Sequence, residues 1–174
     1  DTSMGLTPLE GIPMGTRSGN IDPAVLGVIG EAENLSAQEI VNILNKKSGY
    51  LGVSGVSNDS RDLEECMEKG NKRCKLALDI QSKRIADYIG SYYVQLGGID
   101  IIVFTAGIGE NSSRCRHDVL ARLKVLGVDI DYEANKKQRQ IVEITKKGSK
   151  IRAFVIPTNE EIMIARDTVR LAGL

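Results

Sequence analysis

Isoleucine, valine and leucine recur at helical spacing through several stretches of this 174-residue chain, and crowd into one short continuous run. Ile40, Val41, Ile43 and Leu44 form one such face. Ser36 and Glu39 precede it at the spacing of a capping box, in which each side chain satisfies a free backbone N–H of the helix start. Gly49 is expected to close that helix. Leu76, Ile80, Ile85, Ile89 and Tyr92 mark a longer helix from Lys72 to Leu96, ended by Gly97-Gly98. Asp22-Pro23 reads as a cap followed by proline at the first helical position, opening a helix through Ile29. A polar helix is expected around Leu63–Lys69, after Ser57-Asn58-Asp59, and an amphipathic one over Glu160–Ala172.

The continuous run is Ile99–Thr105, I-D-I-I-V-F-T, which reads as a buried strand. A tight turn, Ala106–Ser112, leads from it into a helix carrying Val119, Leu120 and Leu123. Gln140–Thr145 and Ile151–Ile156 read as two more strands around a Lys/Gly/Ser turn. The first twenty residues are rich in glycine and proline and read as irregular, and Gly52–Ser57 as a loop or brief strand. Strands mixed with longer helices indicate an α/β layered domain. Its length fits one domain, or two small lobes at most.

Composition narrows the function classes. Lys plus Arg and Asp plus Glu both number 23, so the formal net charge is zero, against the basic surplus of a general nucleic-acid binder. No run of eighteen apolar residues is present, so no membrane-spanning helix is expected. The opening Asp1-Thr2-Ser3-Met4 has neither the basic patch nor the apolar stretch of a signal peptide. Cys66, Cys74 and Cys115 form no C-x-x-C pair, so reduced cytosolic thiols are expected rather than a disulfide or a zinc site. His117 is the only histidine, which excludes a two-histidine metal cluster within the chain. Lys136–Arg139 and Lys146-Lys147 read as solvated faces.

Glycine numbers 18, above the roughly 7% average, which directs attention to glycine-rich turns where a ligand can approach the backbone. In Thr105-Ala106-Gly107-Ile108-Gly109-Glu110-Asn111-Ser112 a strand runs into glycines and a helix start, an arrangement that suits a phosphate compound. A plain strand–helix turn with Asn111 or Ser112 as cap is equally consistent. In Gly15-Thr16-Arg17-Ser18-Gly19 one arginine stands between glycines, and a guanidinium grips phosphate or carboxylate by a bidentate fork. Thr158 and Glu161 have capping-box spacing, which leaves Glu160 at a strand-to-helix junction, as a Mg²⁺ contact or a helix-dipole carboxylate. Asp59 could accept from ribose hydroxyls and Arg61 stack on a base, or the two could be a cap and a surface ion pair.

Together these segments resemble the acetate kinase family: D-T-S-M-G-x-T-P-L-E-G at Asp1–Gly11, M-G-T-R-S-G at Met14–Gly19, G-V-S-G-V-S at Gly52–Ser57, F-T-A-G-I-G-E-N-S at Phe104–Ser112 and P-T-N-E-E at Pro157–Glu161. The resemblance runs along the whole chain. It implies the actin/Hsp70/hexokinase superfold and reversible phosphoryl transfer from ATP to acetate with Mg²⁺. It implies that Arg17 stabilises the transferring phosphoryl group. It assigns Asp59, Ser60 and Arg61 to the nucleotide, Gly107, Ile108, Gly109, Glu110 and Asn111 to the adenosine loop, and Glu160 to Mg²⁺. Ser60 departs from the apolar residue commoner in the family, and Asn20 from an acid. Family members are roughly twice as long. The resemblance therefore implies that residues 1–174 are the C-terminal, nucleotide-binding lobe, ribonuclease H-like, with the N-terminal lobe absent and the fragment inactive alone. It further implies a cytoplasmic homodimer acting on small molecules, without nucleic acid or membrane. Propionate or butyrate phosphorylation, or a non-catalytic nucleotide-binding or dimerisation module, are the alternatives.

Overall fold

The computed structural model describes residues 1–137 and 140–173. They form two compact units, Asp1–Gly98 and Ile99–Leu174.

In the first unit, residues 1–23 carry no helix or strand, as their turn residues lead one to expect. Helix α1 (Ala24–Glu33) starts where Asp22 Oδ1 accepts from the Ala24 amide at 2.9 Å. It runs past the expected Ile29 to Asn34, whose left-handed backbone ends it. Helix α2 (Ala37–Lys46) begins with the expected capping box, both halves formed by Ser36 and Glu39. Gly49 does not close α2. It opens a further helix, α3 (Gly49–Ser54), so much of the segment expected as loop or strand is helical. The reason is tertiary. The amides of Ser48, Tyr50 and Leu51 donate to the carbonyls of Thr16, Met14 and Gly15, at 2.9, 2.9 and 3.0 Å. Donors that a short glycine-rich helix would leave unsatisfied are thereby paired.

Helix α4 (Ser60–Glu68) is capped by Asp59, and α5 (Lys72–Gln95) by Asn71, which accepts from the Arg73 and Cys74 amides. α5 ends at the expected glycines, with Gly98 N–H on Tyr93 O and Gly97 N–H on Val94 O. Its buried stripe differs from the expected one: Cys74, Ala77, Leu78, Gln81, Ser82 and Ala86 are buried, while Leu76 is 51% exposed. Small side chains on this face let α3 and α4 pack close, and Tyr50, Leu63, Cys74, Ala77 and Leu78 form the core. Cys66 and Cys74 are joined in a disulfide, Cα–Cα 6.1 Å, which corrects the expectation of free thiols. A separation of eight residues carries no recognisable motif; the packing of α4 on α5 brings the two together.

The second unit runs β1 (Ile101–Phe104), α6 (Ala106–Asn111), α7 (Ser113–Arg122), a short 3₁₀ turn, α8 (Tyr132–Asn135), β2 (Val142–Glu143), β3 (Arg152–Val155) and α9 (Glu160–Ala172). The sheet order is β1-β3-β2. β1 and β3 are parallel, with Ile102 opposite Ala153 and Phe104 opposite Val155. β2 pairs antiparallel with β3. β1 is covered on one face only: Ile102 and Phe104 are buried, Ile101 and Val103 about half exposed. It is therefore not the fully buried strand its apolar run suggests. Val119 and Leu120 of α7, Leu123 after it, and Ile144, Ile151 and Val155 are buried. β2 is shorter than expected, and Thr145 makes only an isolated bridge to Ile130. Gln138 and Arg139 of the expected solvated run lie outside the described residues. The molecule is thus mixed α/β with a small sheet.

Candidate functional site

Arg17 sits in a turn whose shape is imposed from outside. Met14 N–H donates to Arg17 O at 3.0 Å, Ser18 N–H to Leu44 O at 2.9 Å, and Thr16 Oγ1 to Asn45 O at 2.8 Å. Gly49 at φ 59° lies so close beneath that a Cβ there would stand 2.0 Å from Met14 O and 2.6 Å from Arg17 O. A side chain at this position would push the Arg17 turn away. Behind the turn, buried Gln81 of α5 donates to Pro13 O at 3.0 Å and accepts a short hydrogen bond from the Tyr50 hydroxyl. The guanidinium itself is partly buried and, among the described residues, reaches only Met14 Sδ, 3.5 Å away. Arg17 has no carboxylate partner among the described residues. The backbone is thus fixed while the charge is left available.

The same turn meets the Asp59 segment. A Cβ on Gly15 would come within 2.6 Å of Asn58 O, so the two backbones are in direct contact. Asp59 caps α4 through the Arg61 amide, 2.9 Å from Oδ1. It also takes the Arg61 guanidinium, with Nε 3.0 Å from Oδ1 and 3.2 Å from Oδ2. These bonds, the side-chain one first, hold the Asp59 carboxyl down at about 2. Ser60 is the first residue of α4.

In the second unit, the strand-to-helix turn is itself helical. Ala106 begins α6 at φ 58°, a left-handed conformation that costs a non-glycine residue roughly 1–2 kcal/mol. Gly107 and Ile108 are exposed, Gly109 packs against Phe104 of β1, and Asn111 Nδ2 donates to Gly107 O at 2.7 Å. Ser112, not Asn111, caps the next helix, accepting from the Cys115 amide at 3.0 Å. Glu110 Oε1 accepts from both the amide and the hydroxyl of Thr158, each at 2.9 Å. This brings the α6 segment beside the start of α9.

That contact changes the reading of the P-T-N-E-E segment. Thr158 is engaged by Glu110 and does not cap α9. Asn159 does, accepting from the Ile162 amide at 3.1 Å. Glu160 stands exposed in the first turn with no hydrogen bond or ion pair to the described residues. Three or more His, Cys, Asp or Glu side chains do not gather anywhere among the described residues.

Sequence reasoning missed Arg116. It is fully buried in α7. Nη1 donates to the carbonyls of Gly109 and Glu110, both at 2.9 Å. Nε reaches Asn135 Oδ1 at 2.9 Å, and Nη2 reaches Asn135 O and, at 3.1 Å, Lys137 O. Its one sequence signal is a helical offset of six and seven residues from the glycine turn, which is common and carries no warning.

The model of the acetokinase family matches residues 1–166. The acetate kinase of Chlorante-Aster yellows phytoplasma is 60% identical over 171 residues, which is 98% of this chain and 42% of that protein. A crystal structure of Porphyromonas gingivalis acetate kinase superposes with TM-score 0.92 at 45% identity, covering 98% of this chain and 43% of the other. A propionate kinase from Francisella tularensis superposes with TM-score 0.88, also at 45% identity, covering 95% and 42%. The chain thus spans well under half the length of the proteins it matches. A family match over residues 1–166 of 174 makes this chain a member of the acetokinase family.

Proposed function

We propose that this chain is the nucleotide-binding, ribonuclease H-like part of an ATP:acetate phosphotransferase that works as a cytoplasmic homodimer. In the reaction an acetate oxygen attacks the γ-phosphorus of ATP, the bond to the β–γ bridging oxygen breaks, and acetyl phosphate and ADP form. Such a transfer leaves the protein little covalent work beyond positioning and neutralising charge. Arg17 is suited to that task, because its turn is braced by α3 and α5 while its guanidinium has no carboxylate partner among the described residues. That observation carries the reading. Asp59 and Arg61 are assigned to the ribose and base, and Gly107–Asn111 to the adenosine.

Mg²⁺ would be held by Glu160. One exposed carboxylate, not spent on capping or an ion pair, fits a cation that keeps several waters and takes its other ligands from phosphates. The ion would neutralise phosphate charge.

Likeness to solved structures does not separate acetate from propionate, since both neighbours are 45% identical. Curated relatives named acetate kinase, at 58–60% identity, favour acetate. The test is a chimera: the phytoplasma acetate kinase with its matching segment replaced by this chain. Hydroxylamine trapping of acyl phosphate should give the highest kcat/KM with acetate. A preference for propionate or butyrate would replace the substrate, and a folded chimera without acyl phosphate formation would overturn the reaction.

A further inference from the structure

Arg116 is a cation buried without an anion. Its five acceptors are four main-chain carbonyls and one amide oxygen, and no carboxylate joins them among the described residues. Burying a charge is costly unless it is fully hydrogen-bonded. Here every direction of the guanidinium fork is used. Two of the bonds go to the Gly109 and Glu110 carbonyls, in the last turn of α6, a six-residue helix. The others fix Asn135, and Asn135 Nδ2 in turn donates to Ser113 O at 2.7 Å, next to the cap of α7. The segment so held opens with a strained Ala106 and has two glycines, so its local sequence alone does not select one shape.

We infer that Arg116 is a positioning residue, which holds the Gly107–Asn111 segment in its nucleotide-binding shape through the Gly109 and Glu110 carbonyls. The inference rests on the assignment of that segment to nucleotide. A nucleotide binding only the ordered shape has its affinity reduced by the fraction of molecules that hold it. A point charge on a flexible stem, as in lysine, cannot reproduce five bonds in one plane. Arg116→Lys should therefore keep the core and lose part of the loop order. Arg116→Met should lose more.

The test measures amide hydrogen exchange on the full 174-residue chain and ADP titration with Mg²⁺. Asn135→Ala serves as a second route to the same loosening if Arg116→Met does not fold. The expected result is exchange at least about tenfold faster at residues 107–112 in the variants, with β1 and β3 amides unchanged, and ADP affinity falling in proportion to the loss of order. A purely structural role would instead raise exchange across β1 and β3 together with the loop. That outcome overturns the inference, as does unchanged loop exchange in folded Arg116→Lys and Asn135→Ala chains. Absence of ADP binding by the wild-type chain would count against the nucleotide assignment, while the exchange comparison would still decide whether Arg116 orders the loop.

Discussion

Glu110 and Thr158, 48 residues apart, share a two-pronged hydrogen bond in which one carboxylate oxygen accepts from both the amide and the hydroxyl. It ties the glycine-rich α6 segment to the residues that carry Glu160 into α9. Thr158→Val removes the hydroxyl bond and keeps the amide bond. It should lower stability by about 1 kcal/mol, while Thr158→Ser should stay near wild type. Urea unfolding of the three proteins checks this.

The Asp59 carboxyl titrates at about 2, chiefly because the Arg61 guanidinium and then the Arg61 amide bond to its ionised form. Its folded pKa lies below the unfolded value of about 3.9. The folded state thus binds fewer protons. The group's contribution to stability is present above pH about 4 and is lost as pH falls toward about 2. Carbon-detected NMR titration should place the wild-type midpoint near 2 and that of Arg61→Ala higher. A wild-type midpoint near 4 would refute the pairing.

Asp59→Ala removes a cap and, by the proposal, a nucleotide contact. The cap costs about 1 kcal/mol of stability. In the chimera the ATP KM should rise about tenfold, the loss of one charge-assisted contact, with the acetate KM unchanged. Steady-state kinetics with each substrate varied checks both.

The Cys66–Cys74 disulfide closes a loop of eight residues between α4 and α5. By chain entropy it should contribute about 2–3 kcal/mol. Cys66→Ser, or wild type under a thiol reductant, should unfold at correspondingly lower denaturant. Equal midpoints with and without reductant would show that the bond contributes nothing.

Local chemistry announced itself in the sequence, and tertiary chemistry did not. The Ser36–Glu39 box, the glycines ending α5 and the limits of α9 depend on neighbours three or four residues away, and all were legible. Helix α3 was not, because the partners for its first amides are carbonyls more than thirty residues upstream. The buried stripe of α5 follows Cys74, Ala77 and Gln81 instead of the larger Leu76, since close packing of α3 and α4 selects small residues and Gln81 is needed by Tyr50 and Pro13. At the site, Arg17 and the glycine turn stood out by residue type. The roles of Thr158 and Arg116 did not, since each is set by a distant partner. Asn159, beside Thr158, took over the cap once Glu110 had claimed the threonine.

By the proposed function, Arg17 of this chain stabilises phosphoryl transfer to acetate. The most direct measurement is turnover of the chimera by hydroxylamine trapping, wild type against Arg17→Ala. Among the described residues the Arg17 side chain bonds only to Met14 Sδ, so the variant should fold as wild type does. In the variant kcat should fall by about 10²–10³-fold, with the ATP KM changed by no more than about threefold. A folded Arg17→Ala chimera that makes acetyl phosphate at the wild-type rate would contradict it.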